Sequence, residues 1–560
     1  MLPTARRKLS SMLKPSQKAR ASVPLHPPPA LAANFPSSHA KPSSYFTFTG
    51  VTHQSTEAVR RVLTENDHSY DMWGKVRFNH NHFSHSALTR YALGAPPELL
   101  QADWEQARGF LALLDPQEEG RDLEMMKGFP KKITRDNWTD KSVFGRRAAH
   151  SLYLPFFHEE VARLGIDGAI QEYLFSPAAT ANGMMSALLS GVVHPFIHIG
   201  FGLEFDDPLM IAEGLAQTCQ HNPAISSALF PPNWPQTQLK NTSGTPNKPL
   251  LGLYAEYLAS PILDPGPYDS TTLINDRLKN AVTPERVVVL QDLVARWDLS
   301  DMSEAGIAAR AEEVSWVAAL ICGATSRPGY KTRIDFFLMH LLTSSFFVPA
   351  YLNRLSKEQR RIILQTYALT LFHICSSRGR PAIYPQVAMG YPADAAGPLP
   401  RAGEGAGEHK LPMIGDGSRN QDNPWFGIVD NAMMDYDSHV PKSIRSLLHY
   451  SQLYGYKAAG SVPGAFNADG SEVVPGIGAV DGTVFVRIAG KIMQYMGWVK
   501  ETAAGGDSKT GDWDRTAMGW NGAWDDETPH KVVWSMQALS LGRDISSVTL
   551  ELKLGPEAPL

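Results

Sequence analysis

Residues 191–207 read GVVHPFIHIGFGLEFDD and place His194 and His198 four residues apart in an otherwise apolar run. Residues at positions i and i+4 lie on the same face of an α-helix. Pro195 is compatible with a helix if it lies in the first turn, where its missing N–H is not needed. Two imidazoles one turn apart can bind a transition metal; the alternative is a pair of hydrogen-bonded core histidines. The stretch therefore predicts a buried helix with a candidate metal site.

Three other segments contain histidines in patterns typical of helices. Residues 76–95 read VRFNHNHFSHSALTRYALGA and hold three histidines within six positions, followed by a helical pattern that ends near Gly94. Residues 331–347 read KTRIDFFLMHLLTSSFF, an apolar helix with one histidine. Residues 437–443 read DSHVPKS, and Pro441 places a helix start there. A lone histidine in such a helix is usually structural, but several together favour a shared site.

The composition is that of a globular protein with no obvious charged partner. Hydrophobic residues make up 43% and charged residues 19%, and the net charge is -4, which gives no electrostatic argument for nucleic acid or an anionic membrane. The three cysteines form no CxxC pair, which favours a reducing compartment. No uncharged apolar run of about eighteen residues is present. We therefore expect a cytoplasmic protein with neither a nucleic-acid nor a membrane partner; the sequence indicates no oligomeric state.

The pattern along the chain divides it into four parts. Residues 1–45 are rich in Ser, Pro, Arg and Lys and are predicted to be a disordered basic tail, with a mitochondrial presequence as the alternative. Residues 46–385 form the predicted helical catalytic core, and residues 386–421 a loose insertion or lid. Residues 422–560 are predicted to add a helical segment and a tail that complete the core. The expected fold class is mainly α, one large helical core with long loops and a less regular C-terminal region.

Motifs for the common redox cofactors do not occur. The phrase PGIGAVDG at residues 475–482 lacks the third glycine of a dinucleotide-binding loop, and neither GxSxG nor HExxH is present. A flavin enzyme built on a Rossmann unit is therefore not expected. If the protein is an oxygenase, a metal is the simplest source of its redox chemistry.

Four motifs occur in this order along the chain: NHNHFSHSALTRYALGA, HPFIHIGFGLEF, DFFLMHLLTSS and DSHVPKSIRSL. Together they resemble the questin oxidase-like family. These are fungal enzymes of aromatic polyketide pathways. The resemblance implies a mostly helical fold and oxidative cleavage of an anthraquinone-type ring. At least some members resemble a mononuclear non-haem iron dioxygenase, in which histidines and a carboxylated lysine hold the iron. It therefore also implies Fe(2+) as cofactor, with an aromatic polyketide and dioxygen as substrates.

Carried over to this chain, the resemblance implies one set of metal ligands: His82, His194, His198, His340 and Lys442. Histidines on either side of the first ligand, His80 and His85, are its alternatives, and the second of these could orient it by a hydrogen bond. The alternative modified lysine is Lys331.

Two further positions are predicted to take part in catalysis. Thr343 lies one turn from His340 and could hydrogen-bond a ligand or bound oxygen, and His439 is the reserve ligand. The substrate is expected to stack among aromatic side chains, namely Phe83, Phe196, Phe201, Phe336 and Trp425. Two other functions stay open: a flavin-independent Baeyer–Villiger monooxygenase that takes electrons from NADPH, and a non-catalytic helical binding protein.

Overall fold

The computed structural model describes residues 45–75, 80–115, 123–393, 423–498 and 512–525. The predicted basic tail therefore lies almost wholly outside the described residues, as do most of the predicted lid and the end of the chain. The predictions made for these segments stay predictions.

The first half of the described chain is built mainly from helices, with one small sheet. The antiparallel strands are β1 (Tyr70–Gly74) and β2 (Leu111–Leu113). The helices are α1 (His53–Ser69), α2 (Phe83–Ala92), α3 (Pro97–Ala107), α4 (His150–Ile170), α5 (Pro177–Ala181), α6 (Met184–Leu188), α7 (Ser190–Phe205), α8 (Pro208–Gln220) and α9 (Ala224–Ser227).

The second half is helical throughout its regular elements. The helices are α10 (Leu250–Ala259), α11 (Ile274–Asn280), α12 (Pro284–Ala295), α13 (Glu304–Gly323), α14 (Phe336–Ser345), α15 (Val348–Leu352), α16 (Lys357–Ser377), α17 (Pro385–Met389), α18 (Pro424–Met434), α19 (His439–Tyr454) and α20 (Val484–Tyr495). The mainly α fold class predicted from the sequence is thus confirmed.

One continuous hydrophobic core joins these helices, from Phe46 near the start of the described chain to Trp513 near its end. Helices α7 and α8 pack along each other, α14 packs against α7 and α13, and α19 packs against α2, α14 and α20. The helices with the histidine motifs are therefore neighbours in the core. Within the described ranges, no helix is both long enough and apolar enough to span a membrane.

The start of α14 is fixed by a buried ion pair. Asp335 caps the helix by accepting hydrogen bonds from the backbone N–H groups of Phe337 (2.8 Å) and Leu338 (3.1 Å). Its other carboxylate oxygen lies 2.7 Å from the guanidinium of Arg378, and both side chains are almost fully buried. Because a cap decides where a helix begins, this pair also decides where His340 lies.

Candidate metal centre

Four histidine rings from four separate segments meet in the core. His82 immediately precedes α2, His194 lies in α7, His340 in α14, and His439 is the first residue of α19. The ring centre of His194 lies 4.8 Å from that of His82 and 5.0 Å from that of His340. The ring centre of His439 lies 4.7 Å and 5.0 Å from the same two rings. The four rings therefore form a closed cluster.

In each of these rings Nδ1 is a hydrogen-bond donor to an oxygen of the protein. Nδ1 of His82 donates to the carbonyl of His80 (2.8 Å), and Nδ1 of His194 donates to the carbonyl of Gly191. Two more such bonds complete the set: His340 to the Phe336 carbonyl at 2.7 Å, and His439 to the Asp437 carboxylate at 2.6 Å. A neutral imidazole has one N–H, so every Nε2 in the cluster presents a lone pair.

The ligand atoms of three of these rings, those of His82, His194 and His439, all lie within 4.8 Å of one another. Nε2 of His82 lies 2.8 Å from Nε2 of His194. Nε2 of His340 and Nε2 of His439 are buried and have no hydrogen-bond partner among the described residues. Burial and the neighbouring cationic groups lower the pKa of all four rings, which disfavours a shared proton. Two nitrogens bound to one metal at about 2.1 Å, at a right angle, would lie about 3 Å apart. The donor set thus fits a divalent transition metal.

Lys442 adds a fifth group to the cluster. Its side chain is 4% exposed, and Nζ has no hydrogen-bond partner in the described chain. Burial lowers the pKa of Lys442 to about 7; the Asp437 carboxylate opposes this and the Arg90 guanidinium adds to it. A large fraction of the amine is therefore neutral near pH 7. A neutral, buried amine is the form that can react with carbon dioxide, whereas an ammonium group cannot.

A left-handed turn positions His194. Gly191, Val192 and Val193 have φ values of 57°, 56° and 61°, so the regular helix begins at His194, with Pro195 in its first turn as the sequence analysis expects. β-Branched residues rarely adopt this conformation, and such strain is often found at functional sites. The turn places the Gly191 carbonyl against His194 Nδ1. A Cβ on Gly191 would lie 2.3 Å from Nε2 of His221, so only glycine fits.

Contacts from outside α19 hold His439 in place. One oxygen of Asp437 accepts both the backbone N–H (2.9 Å) and Nδ1–H (2.6 Å) of His439. The other oxygen accepts the indole N–H of Trp513 at 2.7 Å. Although burial opposes it, the contact with His439 holds the pKa of Asp437 below its usual range. The tryptophan-rich segment near the chain end thereby orients the ring of His439.

His198, predicted as a ligand, faces away from the cluster and has both ring nitrogens occupied. Nε2 donates to the Glu213 carboxylate at 2.8 Å, and Nδ1 lies 3.1 Å from Nε2 of His85. Neither nitrogen is available to a metal. In the candidate ligand set, His439, predicted from the sequence as the reserve ligand, therefore takes the place of His198.

The remaining predicted positions lie around the cluster. Of the three histidines near residue 80, His82 is the one in the cluster; Nε2 of His80 instead contacts Nε2 of His221 at 3.0 Å. Thr343 is buried and its hydroxyl donates to the carbonyl of His340 at 3.3 Å, a contact within its own helix. Lys331 lies in the loop before α14. Among the described residues, no hydrogen bond of Thr343 supports a catalytic role.

A cavity of about 500 Å³ opens against one side of the cluster. His82 and His439 form part of its wall together with Phe83 and Phe336, two of the aromatic residues predicted to contact substrate. The rim adds two more aromatic side chains and a cation, namely Phe110, Tyr436 and Arg515. Its size suits a small molecule, within the usual range of about 300–1,000 Å³.

The other predicted pocket residues do not line this cavity. Phe196 stacks on Tyr351, with ring centres 4.3 Å apart, and Phe201 packs on Phe347 at 4.5 Å. Both are fully buried core residues. Trp425 is half-buried in α18, beside the core. The sequence shows that these side chains are aromatic but not which way they face.

Comparison with known proteins gives consistent matches. The questin oxidase-like family model matches residues 79–447. The chain is 28% identical over 342 residues to oxidoreductase AflY of Aspergillus parasiticus, covering 60% of this chain and 66% of that protein. It is 27% identical to Baeyer-Villiger oxidase AgnL3 of Paecilomyces divaricatus (58% and 69%) and to questin oxidase of Aspergillus fumigatus (55% and 67%).

The matched regions thus span about two thirds of the length of each relative: 66% of AflY, 69% of AgnL3 and 67% of the questin oxidase. The family model covers well over half of this chain and includes every residue of the histidine cluster and Lys442. The chain therefore belongs to the questin oxidase-like family.

Proposed function

We propose that this protein is an iron-dependent oxygenase that cleaves a carbon–carbon bond of an anthraquinone-type aromatic polyketide. The observation that supports the proposal is the cluster of four Nε2 lone pairs beside the unpartnered amine of Lys442. The residues that would hold the metal are His82, His194, His340, His439 and a carboxylated Lys442. Iron(II), when bound, supplies one-electron chemistry with dioxygen that protein side chains lack.

The charge of the site explains why Lys442 would be modified. Four neutral imidazoles leave the charge of a divalent metal uncompensated in a buried site, and the nearby Asp437 is engaged by His439 and Trp513. A neutral Lys442 amine can attack carbon dioxide. A nitrogen–carbon bond then forms, one proton leaves the nitrogen for solvent in the adjoining cavity, and the product is a carbamate. The carbamate supplies an anionic oxygen where the free amine could not.

The adjoining cavity suits a flat aromatic substrate. Phe83 and Phe336 provide apolar surfaces beside the histidines. The Arg515 guanidinium lies 4.3 Å from the centre of the Phe336 ring, and no carboxylate pairs with it among the described residues. A phenolate or quinone oxygen of the substrate would find a cation there while its rings contact the phenylalanines. These residues bind and orient the substrate and exclude water from the reacting face.

The first test is the metal content of protein produced with iron. We expect about one iron per chain in the wild type and at least a tenfold loss in His340→Ala and His439→Ala. The matched control is His373→Ala, because His373 is also buried but donates to the carbonyl of Leu278, away from the cluster. Full turnover by metal-free wild-type protein would overturn the proposal.

The names of several relatives favour a second candidate, a flavin-independent Baeyer–Villiger monooxygenase. That reaction inserts one oxygen atom into the substrate and reduces the other to water with two electrons from NADPH. A dioxygenase instead places both atoms in the product and takes the electrons from the substrate. Labelling with ¹⁸O₂ distinguishes them: two labelled atoms without NADPH consumption support the dioxygenase, and one labelled atom with stoichiometric NADPH oxidation supports the monooxygenase.

A further inference from the structure

A hydrogen-bonded chain of buried polar side chains ends beside the metal centre. Nε2 of His198 lies 2.8 Å from a Glu213 oxygen, and Nδ1 of His198 lies 3.1 Å from Nε2 of His85. His85 and His198 are completely buried, and Glu213 is 3% exposed. Nδ1 of His85 has no hydrogen-bond partner within the described ranges. A buried nitrogen without a partner is costly, so its environment needs an explanation.

A backbone N–H group fixes the direction of hydrogen-bond donation along this chain. The N–H of Phe83 donates to the amide oxygen of Asn81 (2.9 Å), so the Asn81 amide nitrogen faces and donates to the amide oxygen of Asn66 (2.8 Å). The amide nitrogen of Asn66 then faces one oxygen of Glu213 at 3.4 Å, and the Ser84 hydroxyl faces the other at 3.4 Å. The carboxylate of Glu213 is therefore surrounded by donors.

The histidines continue this direction toward the metal centre. Nε2–H of His198 donates to Glu213, so its Nδ1 must accept, and it can accept only from Nε2–H of His85. A neutral His85 then has a bare lone pair on Nδ1. The ring centre of His85 lies 6.2 Å from that of His82 and 6.5 Å from that of His194, so the His85 ring lies beside the cluster.

We propose that Nδ1 of His85 accepts the N–H of the Lys442 carbamate, and that the Glu213–His198–His85 chain exists to present this lone pair. The inference rests on the proposed function, because a carbamate keeps one N–H that a buried site must satisfy. His85 Nδ1 and Lys442 Nζ are an acceptor and a donor without partners in one cluster. Their helices, α2 and α19, pack together. His85 is thus a positioning residue that favours the carboxylated over the free lysine.

The experiment measures carbamate directly rather than turnover. Full-length protein loaded with Zn²⁺, which is diamagnetic, is titrated with ¹³C-bicarbonate, and the carbamate signal is followed by ¹³C NMR. We expect saturable signal in the wild type and at least a tenfold higher half-saturating concentration in His85→Leu. His85→Gln, whose amide oxygen can accept the same hydrogen, should recover part of the loss. This rescue would not follow if His85 only filled space.

A second variant reverses the direction of hydrogen-bond donation along this chain and leaves both histidines in place. In Glu213→Gln the Asn66 amide holds the new carboxamide oxygen, so the –NH₂ group faces His198 and donates to its Nε2. The tautomers of both rings invert, and His85 Nδ1 becomes a donor that repels the carbamate N–H. Glu213→Gln should therefore weaken carbamate formation as strongly as His85→Leu. The control is Glu313→Gln, because Glu313 is equally buried but accepts from Trp297, outside this chain.

The outcomes separate the two proposals. Absence of a carbamate signal in wild-type protein would overturn the Lys442 ligand and this inference together. A wild-type signal that is unchanged in both His85→Leu and Glu213→Gln would overturn only the role of the chain. Loss of zinc with an intact carbamate signal would show that His85 is a metal ligand, which also contradicts it.

Discussion

Replacing Lys442 by methionine should stabilise the metal-free protein, although it destroys the proposed centre. Lys442 is buried without a hydrogen-bond partner in the described chain, and its pKa falls from 10.5 to about 7 on folding, chiefly through burial. The unfolded chain therefore binds more protons than the folded chain between pH 7 and 10.5. Stability rises with pH across this window, and the folded state is most penalised at and below pH 7.

The size of the effect follows from the shift. At about 1.4 kcal/mol for each pH unit, the change from 10.5 to about 7 corresponds to about 5 kcal/mol of destabilisation near neutral pH. Methionine keeps the apolar stem and removes the charge. We therefore expect Lys442→Met to raise the free energy of unfolding at pH 7 by about 2–5 kcal/mol. The gain should shrink to below about 1 kcal/mol by pH 10.

The assay is urea unfolding of metal-free protein in carbon dioxide-free buffer, from pH 7 to 10. Lys491→Met is the matched control, because burial also lowers the pKa of Lys491 to about 7 but its Nζ donates to the Gly323 carbonyl at 2.9 Å. Its gain should be smaller by about 1–3 kcal/mol, since the carbonyl loses its donor. Adding Zn²⁺ and bicarbonate should stabilise wild-type protein and Lys491→Met more than Lys442→Met, which keeps the four histidines but lacks the carbamate oxygen.

The result that refutes this reasoning is a Lys442→Met protein whose unfolding free energy has the same pH slope as the wild type. Lys442 would then be charged and hydrated in the folded state. An equal response of Lys442→Met and wild-type protein to Zn²⁺ with bicarbonate would separately refute the role of Lys442 as a ligand.

Three other predictions address other parts of the chain. Trp513→Phe removes the indole N–H that holds Asp437 and should weaken metal binding at least tenfold. The control Trp524→Phe, in the same segment, should bind metal like the wild type, and equal metal affinities of the two variants in a competition titration would contradict this prediction. Phe110→Ala at the exposed cavity rim should raise KM several-fold with kcat and metal content unchanged, and an unchanged KM would exclude Phe110 from substrate binding. Removal of residues 1–44 should leave turnover intact, and a fluorescent fusion should be diffuse in the cytosol; mitochondrial signal would instead identify a presequence.

The fold class and the histidine-bearing segments that meet in the core were readable from local sequence patterns. Apolar residues at spacings of three and four predict helices, and the described chain is mainly helical. The i, i+4 spacing predicted one helix for His194 and His198, and both lie in α7; Pro441 marked the first turn of α19. These features depend only on neighbours along the chain, so a single sequence contains the information.

Which histidine nitrogens face one another was decided only by the tertiary structure. His198 and His439 look equally suitable in the sequence. In the structure, Glu213 and His85 occupy both ring nitrogens of His198. Asp437, which is held by Trp513 from near the end of the chain, turns His439 toward the cluster. A ligand is defined by which nitrogen stays free. That depends on groups far along the chain, since His85 is 113 residues from His198 and Trp513 is 76 residues from Asp437, and their positions follow from helix packing and not from any local pattern.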